Sequence, residues 1–158
     1  MKKLKQFYRT SFILLLLLSS YSCQTDTVVI TLTVDTAQLG NDRNNPGGCT
    51  LSATPASVVI FDDGDPKTYT IKVEKGTEII WEGVTTDGDD IKIKNITYVE
   101  GTNIFNSNSI PGKVQNGKEK VKGKARRKTA KDKDYVYKIK FRVDEFGNFT
   151  LDPKIRVE

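Results

Sequence analysis

Residues 135–143 read YVYKIKFRV, and this stretch decides the fold class. Apolar and polar side chains alternate along it: Tyr135, Tyr137, Ile139, Phe141 and Val143 on one side, Val136 and three basic residues on the other. Successive side chains of a β-strand point to opposite faces of the sheet. The pattern therefore predicts a strand with one face in a core and the other in water.

The same period of two recurs through most of the chain. Alternation at 28–34, 69–73 and 91–94 predicts further strands, and weaker patterns predict others at 57–61, 77–82, 96–100, 118–124, 148–151 and 155–157. Asp-Gly or Asn-Gly pairs at 63–64, 87–88 and 116–117, and the Phe-Gly-Asn at 146–148, are typical of tight turns. No amphipathic helix pattern follows residue 22. We expect an all-β fold, an antiparallel β-sandwich of about seven to nine strands.

Residues 71–81, IKVEKGTEIIW, resemble the strand-turn-strand of Ig-like and cupredoxin-like sandwiches. The resemblance implies the architecture only, because a blue-copper site needs two histidines and the chain has none. The lack of histidine also excludes Ser-His-Asp triads, Cys-His pairs and His-ligated zinc.

The first 22 residues have the composition of a secretory signal. Four basic residues precede an apolar run at 12–18, which is too short to cross a bilayer as a helix. The next five residues resemble the processing site of bacterial lipoproteins, in the relaxed form found in the Bacteroidota. They are Ser19-Ser20-Tyr21-Ser22 and then Cys23. The resemblance implies a mature chain that starts at Cys23 and is anchored by acyl chains such as palmitate. By resemblance to enterobacterial sorting, Gln24 favours the outer membrane.

Two alternatives to lipidation remain open. Ordinary cleavage after Ser22 would leave Cys23 free to pair with Cys49 in an oxidising compartment, and an uncleaved leader could itself be the anchor. In the lipoprotein interpretation Cys49 is the only free thiol, and nothing beside it in sequence lowers its pKa, so we expect it to be buried and inert. The expected organisation is a signal peptide over 1–22, an acylated N-terminus with a first strand and an Asn/Gly-rich loop over 23–50, and the sandwich over 51–158.

Charge is unevenly distributed once the leader is removed. Residues 24–112 hold 6 basic and 13 acidic residues, whereas residues 113–134 hold 10 basic and 3 acidic residues. We expect 113–134 to form a basic loop that contacts an anionic polysaccharide or an acidic protein, with its densest charge at Lys124, Arg126, Arg127 and Lys128. A merely solubilising loop and head-to-tail self-association are alternatives. Nucleic acid is disfavoured because no aromatic residue interrupts the segment for base stacking.

Two acidic loops are candidate calcium ligands. They contain Asp62, Asp63 and Asp65, and Asp87, Asp89 and Asp90. Oxygen ligands on flexible loops suit calcium, but neither loop has the EF-hand spacing, and Asp-Gly is also ordinary turn chemistry. No other cofactor is expected.

Trp81 and the carboxylates define the remaining alternatives. Strand parity puts Trp81 on the same face as Ile79, which favours a core position over a sugar-stacking platform. The spacing of Glu78, Glu82, Asp89 and Asp90 singles out no acid and base. We therefore expect an outer-membrane lipoprotein that acts as a non-catalytic binding or interaction module at the cell envelope. The alternatives are a carbohydrate-binding accessory protein and a small carboxylate-dependent hydrolase.

Overall fold

The computed structural model describes residues 26–158, so the signal peptide and Cys23 lie outside the described residues. Within this range the chain forms twelve β-strands and two short 3-10 helices, Thr36–Gln38 and Ala56–Val58, which confirms the all-β class. The strands are β1 (Thr27–Val34), β2 (Cys49–Thr54), β3 (Val59–Phe61), β4 (Thr70–Val73), β5 (Glu78–Thr85), β6 (Asp90–Glu100), β7 (Ser109–Pro111), β8 (Lys113–Gln115), β9 (Lys118–Lys124), β10 (Tyr135–Val143), β11 (Gly147–Leu151) and β12 (Lys154–Val157). No helix among residues 26–158 has the length and apolar composition needed to cross a membrane.

Burial follows the predicted alternation. The five apolar side chains of β10 that share one face are all buried, and so are the even-numbered residues of β1 from Val28 to Val34. In β2 the sequence CTLSAT alternates in the same way, with Cys49, Leu51 and Ala53 buried. Its small and polar residues give a weak apolar signal, and the expected domain boundary at 50/51 falls inside this strand. β1 therefore belongs to the main sheet, where it pairs with both β2 and β5, and residues 35–48 connect it to β2.

The sheet is mixed, so the expected simple antiparallel sandwich is wrong. The strand order is β2-β1-β5-β6-β10-β12-β4-β3, and two of its neighbouring pairs, β1–β5 and β4–β12, are parallel. The two edge strands, β2 and β3, follow each other in the chain, and the sheet curls into a nearly closed barrel. Alternation of side chains is the same in parallel and antiparallel strands, so the sequence pattern contains no signal for this pairing.

Strand β6 joins the two halves of the sheet. The first two residues of β6 pair with Gly83 and Val84 of β5, and the rest of β6 pairs with β10. The pairing shifts register where Ile93 faces Phe141 and Asn95 faces Lys140, which leaves one extra residue in β6. This bulge moves the buried positions from Ile91 and Ile93 to Ile96. The change of phase explains why the sequence predicts two strands where there is one.

The first half of the basic segment is not a loop. β8 and β9 form a hairpin around Asn116-Gly117, both with positive φ, and β9 pairs with β5 in the main sheet. Val121, the lone apolar residue in KEKVKGK, is fully buried. Gly123 lies directly against Phe105 and Ile110, since a Cβ added at this position would be 2.8 Å from the Phe105 ring. Val121 and Gly123 are therefore the residues through which this lysine-rich strand packs against the core.

Aromatic rings fill the centre of the barrel. Trp81 is 1% exposed, and its indole Nε1 donates a hydrogen bond to the Tyr137 hydroxyl at 3.1 Å. The Tyr137 and Phe105 rings meet Trp81 edge to face at 5.7 and 5.9 Å. The core position predicted for Trp81 is confirmed, and a sugar-stacking role for this ring is wrong.

Candidate interaction surface

A short segment, Ala125–Thr129, crosses one end of the barrel, and we call it the strap. The Ala125 N–H donates to the Thr77 carbonyl at 2.9 Å, and the Ala125 carbonyl accepts from the Gly76 N–H at 2.8 Å. Farther along, the Arg126 N–H donates to the Ile104 carbonyl at 2.8 Å, and the Thr129 N–H donates to the Val157 carbonyl at 2.9 Å. The strap is thus fixed to the start of β5, the β6–β7 connection and the end of β12.

The strap displays cations in fixed positions. Ala125 is fully buried, whereas Arg126, Arg127 and Lys128 are exposed, and so is Lys124 at the end of β9. None of these four cationic side chains forms an ion pair with any of residues 26–158. The structure therefore brings together all four residues predicted to bind a partner and leaves their charges available.

The other three lysines of β9 are neutralised instead. Lys118 pairs with Asp90 at 2.6 Å and Lys122 with Glu78 at 2.8 Å, while Lys120 pairs with Glu82 between them. These pairs bridge β9 to β5 and to the start of β6. Of the predicted basic segment, the part before Lys124 is thus mostly matched by the acidic strands beside it.

The strap lies at the end of the barrel where the described chain begins. Thr27 faces Glu78 across β1 and β5, and Glu78 faces Lys124 across β5 and β9. In addition, the Glu78 N–H donates to the Asp26 carbonyl at 2.9 Å. Two strand spacings separate Thr27 from Lys124, a distance of about 10 Å.

Two shallow clefts flank the strap. One, of about 450 Å³, is lined by Asp26, Thr27, Val28, Pro55, Val58, Lys72, Val73, Glu74 and Thr77. The other, of about 380 Å³, is lined by residues 128–132 and 156–158. In the second cleft Arg156 forms a bidentate pair with Asp134, at 2.9 and 2.8 Å.

The opposite end of the barrel is acidic. The connections 35–48, 86–90 and 144–147 meet there and contain seven acidic residues and one basic residue. The Thr86 N–H donates to the Val34 carbonyl at 3.0 Å, and Arg43 Nη1 donates to the Phe146 carbonyl at 2.5 Å. Positive and negative charge are thus separated along the strands, a feature absent from the linear order of the residues.

The candidate calcium ligands are engaged in turns and ion pairs. Asp62 and Asp65 accept backbone N–H groups of Gly64 and Lys67 at 3.0 and 2.9 Å. Asp63 accepts the Thr68 hydroxyl, which is the main reason why its pKa lies below the ordinary value. Asp90 pairs with Lys118. Across residues 26–158 no three acidic or cysteine side chains come together as a metal site. Calcium binding at Asp62, Asp63, Asp65, Asp87, Asp89 and Asp90 stays a prediction from the sequence.

Cys49 is a free thiol in the core. It is 6% exposed, and desolvation by burial raises its pKa to about 12. A thiol that keeps its proton is a poor nucleophile. The prediction that Cys49 is buried is confirmed.

Comparison with solved structures gives a clear match for the architecture. The crystal structure of an inclusion body protein, PixA, from Burkholderia cenocepacia J2315 superposes with a TM-score of 0.66 and covers 87% of this chain and 98% of that chain. The fold is shared. Sequence identity is 12%, so the match concerns the fold alone. No family model and no curated protein matches the sequence.

Sequence reasoning found the cations of the strap but missed the residues that fix them. Ala125 and Thr129 hold the backbone, and Gly76 and Ile104 supply partners from distant connections. Small residues with backbone hydrogen bonds leave no periodic signal, so this part of the surface is visible only in the folded chain.

Proposed function

We propose that this protein is an exported lipoprotein, anchored through Cys23 in the outer membrane, and that it acts as a non-catalytic interaction module with an anionic partner. The strap, with Lys124, is the contact surface. The proposal depends on the contrast between two groups of neighbouring cations. Lys118, Lys120 and Lys122 of β9 are neutralised within the sheet, whereas Lys124 at its end and the three strap cations are exposed and unpaired.

The leader supports the anchor. A basic start, a seven-residue apolar run and Cys23 stand in the order found in lipoprotein signals. Only two residues separate Cys23 from Asp26, whose carbonyl is already bonded to β5. An acyl group on Cys23 would hold the folded domain directly at a membrane, with almost no linker.

Several features support a non-catalytic role. The chain has no histidine, and Cys49 is buried with a raised pKa. Glu78 and Glu82 are engaged with Lys122 and Lys120 on the outer face of the sheet. General acid–base catalysis by carboxylates needs two groups with different environments facing one cleft, and these two carboxylates serve the sheet instead.

Replacing the strap cations tests the contact surface. We expect Arg126→Ser, Arg127→Ser and Lys128→Ser together to weaken binding to a sulfated polysaccharide by about 30-fold or more, because Lys and Arg contacts dominate such binding and are screened by salt. The thermal unfolding temperature should change little, since these side chains are exposed. Affinity chromatography and calorimetry at two salt concentrations measure both.

The matched control removes the same charge elsewhere. Lys67, Lys113 and Lys140 are exposed, lie outside the strap and form no ion pair with any of residues 26–158. Their triple serine variant should bind nearly as well as the unmodified protein. Equal loss in both triple variants would show that net charge alone matters, and the strap would not be a specific surface.

A further inference from the structure

We infer that the partner of the strap is the anionic headgroup surface of the same membrane that holds the acyl anchor, so that the domain lies with the strap down on the bilayer and its acidic end pointing away. This inference rests on the proposed anchoring through Cys23. It adds the chemical identity of the partner, phospholipid phosphate, and a fixed orientation of the domain.

First, the proposed attachment point at Cys23 lies close to the strap. Four residues from Cys23 to Thr27 span at most about 14 Å, and Thr27 lies two strand spacings, about 10 Å, from Lys124. The lipid attachment point therefore lies within about 25 Å of Lys124, the residue before the strap, at the same end of the barrel. An anchored domain cannot move this end far from the headgroups.

The second step is the charge that remains at this end. Lys72 pairs with Glu158 at 3.2 Å and Lys122 with Glu78 at 2.8 Å, so these four charges cancel locally. Near the strap this leaves five cations, Lys75, Lys124, Arg126, Arg127 and Lys128, and two carboxylates, Asp26 and Glu74. The neighbouring connections add two charges of each sign, Lys131 and Lys133 with Glu100 and Asp132.

The third step is the field across the molecule. An anionic surface attracts the strap end and repels the opposite end. There Asp90 pairs with Lys118, and Asp144 pairs with Lys92 and Arg142, so the seven acidic residues exceed the basic residues, with Arg43 included, by three. Both effects favour the same orientation. A soluble polyanion would be attracted by the strap alone. At a membrane the strap, the adjacent anchor and the repulsion of the acidic end would all favour the same orientation.

The fourth step is the chemistry of the contact. Arginine and lysine bind phosphate oxygens through charge-assisted hydrogen bonds, and two adjacent arginines supply planar forks. The strap backbone is already fixed by four hydrogen bonds to three other segments. Its side chains therefore need little further ordering to meet a flat, multiply charged surface.

The experiment uses the acylated full chain, made in a bacterial host that processes lipoproteins and reconstituted into vesicles. One cysteine is introduced for a donor dye, either Ser57→Cys, beside the strap-end cleft, or Thr86→Cys, at the acidic end; both positions are exposed. Cys49 is buried and stays unlabelled. Energy transfer to an acceptor dye on the headgroups is compared in phosphatidylcholine vesicles with and without phosphatidylglycerol.

We expect phosphatidylglycerol to raise transfer from position 57 and to lower it from position 86. Salt at about 0.5 M should abolish both changes, because the Debye length then falls to roughly 4 Å. Serine at 126, 127 and 128 should abolish them as well, while the control with serine at 67, 113 and 140 should keep them. Loss of three contacts corresponds to about 100-fold weaker docking at low salt.

The possible failures are distinguishable. Protein that does not float with pure phosphatidylcholine vesicles lacks the anchor, and both proposals fall. Protein that floats but shows the same transfer in both lipids, or the same response without the strap cations, overturns the membrane as partner. If that protein still binds a sulfated polysaccharide through the strap, the proposed interaction module stands, but its partner is soluble. If energy transfer changes only with protein concentration, the strap binds a second copy of the chain and the membrane is not its partner.

Discussion

The Trp81–Tyr137 hydrogen bond is the polar contact at the centre of the core. Tyr135 stacks on Tyr137 and is fully buried, but its hydroxyl has no hydrogen-bond partner among residues 26–158. Burial raises the pKa of both phenols. We expect Tyr137→Phe to lower the free energy of unfolding by about 1–3 kcal/mol, because it leaves the buried indole N–H without its acceptor. Tyr135→Phe removes an unsatisfied hydroxyl and should be neutral or stabilising; urea unfolding compares them, and equal losses would contradict this account.

Burial of Cys49 also makes a prediction for pH. Its pKa rises from 9.0 to about 12 on folding, so between these values the unfolded chain loses the thiol proton while the folded chain keeps it. The unfolded state then binds fewer protons, and stability falls as the pH rises through this window. Between pH 8 and 10.5 the free energy of unfolding should fall by about 1–2 kcal/mol less in Cys49→Ala than in the unmodified protein. Parallel losses in urea unfolding at the two pH values would show that the thiol is not desolvated.

At the scale of elements, β9 depends on a glycine more than on its lysines. A Cβ at Gly123 would lie 2.8 Å from the Phe105 ring and 3.0 Å from the Ile110 side chain. Gly123→Ala should therefore cost about 1–3 kcal/mol through overpacking. Lys122→Ala, on the opposite face of the same strand, removes one exposed ion pair and should cost at most about 1 kcal/mol. Chemical unfolding of the two variants ranks them, and a larger loss for Lys122→Ala would contradict the packing described for β9.

The sequence contains enough information for most strands but not for their partners. β1 and β10 follow directly from alternation, because each places one face in the core. The weaker pattern at 77–82 identifies β5 but ends three residues before the strand does. The parallel pairing of β1 with β5 leaves no trace in the alternation, and the bulge in β6 divides one strand into two apparent ones. β9 is recognisable as a weak strand, yet its lysines suggest a solvated excursion until the acidic partners on β5 are known.

At the scale of the whole molecule, the central feature is the separation of charge between the two ends of the barrel. The composition of residues 113–134 identifies a basic segment, and its densest part forms the strap. The opposition between strap and acidic end could not be predicted, because it depends on which strand ends meet. Within this arrangement the proposed anchor at Cys23 would limit what the strap can reach.

The intact mass of the mature protein, made in a bacterial host that acylates lipoproteins, tests the proposed anchoring most directly. We expect a chain that begins at Cys23 and carries a diacylglycerol and a further acyl group. An unacylated chain that begins at Cys23, or a chain that keeps its leader, would contradict it, and the domain would then have no lipid to hold its strap at a membrane.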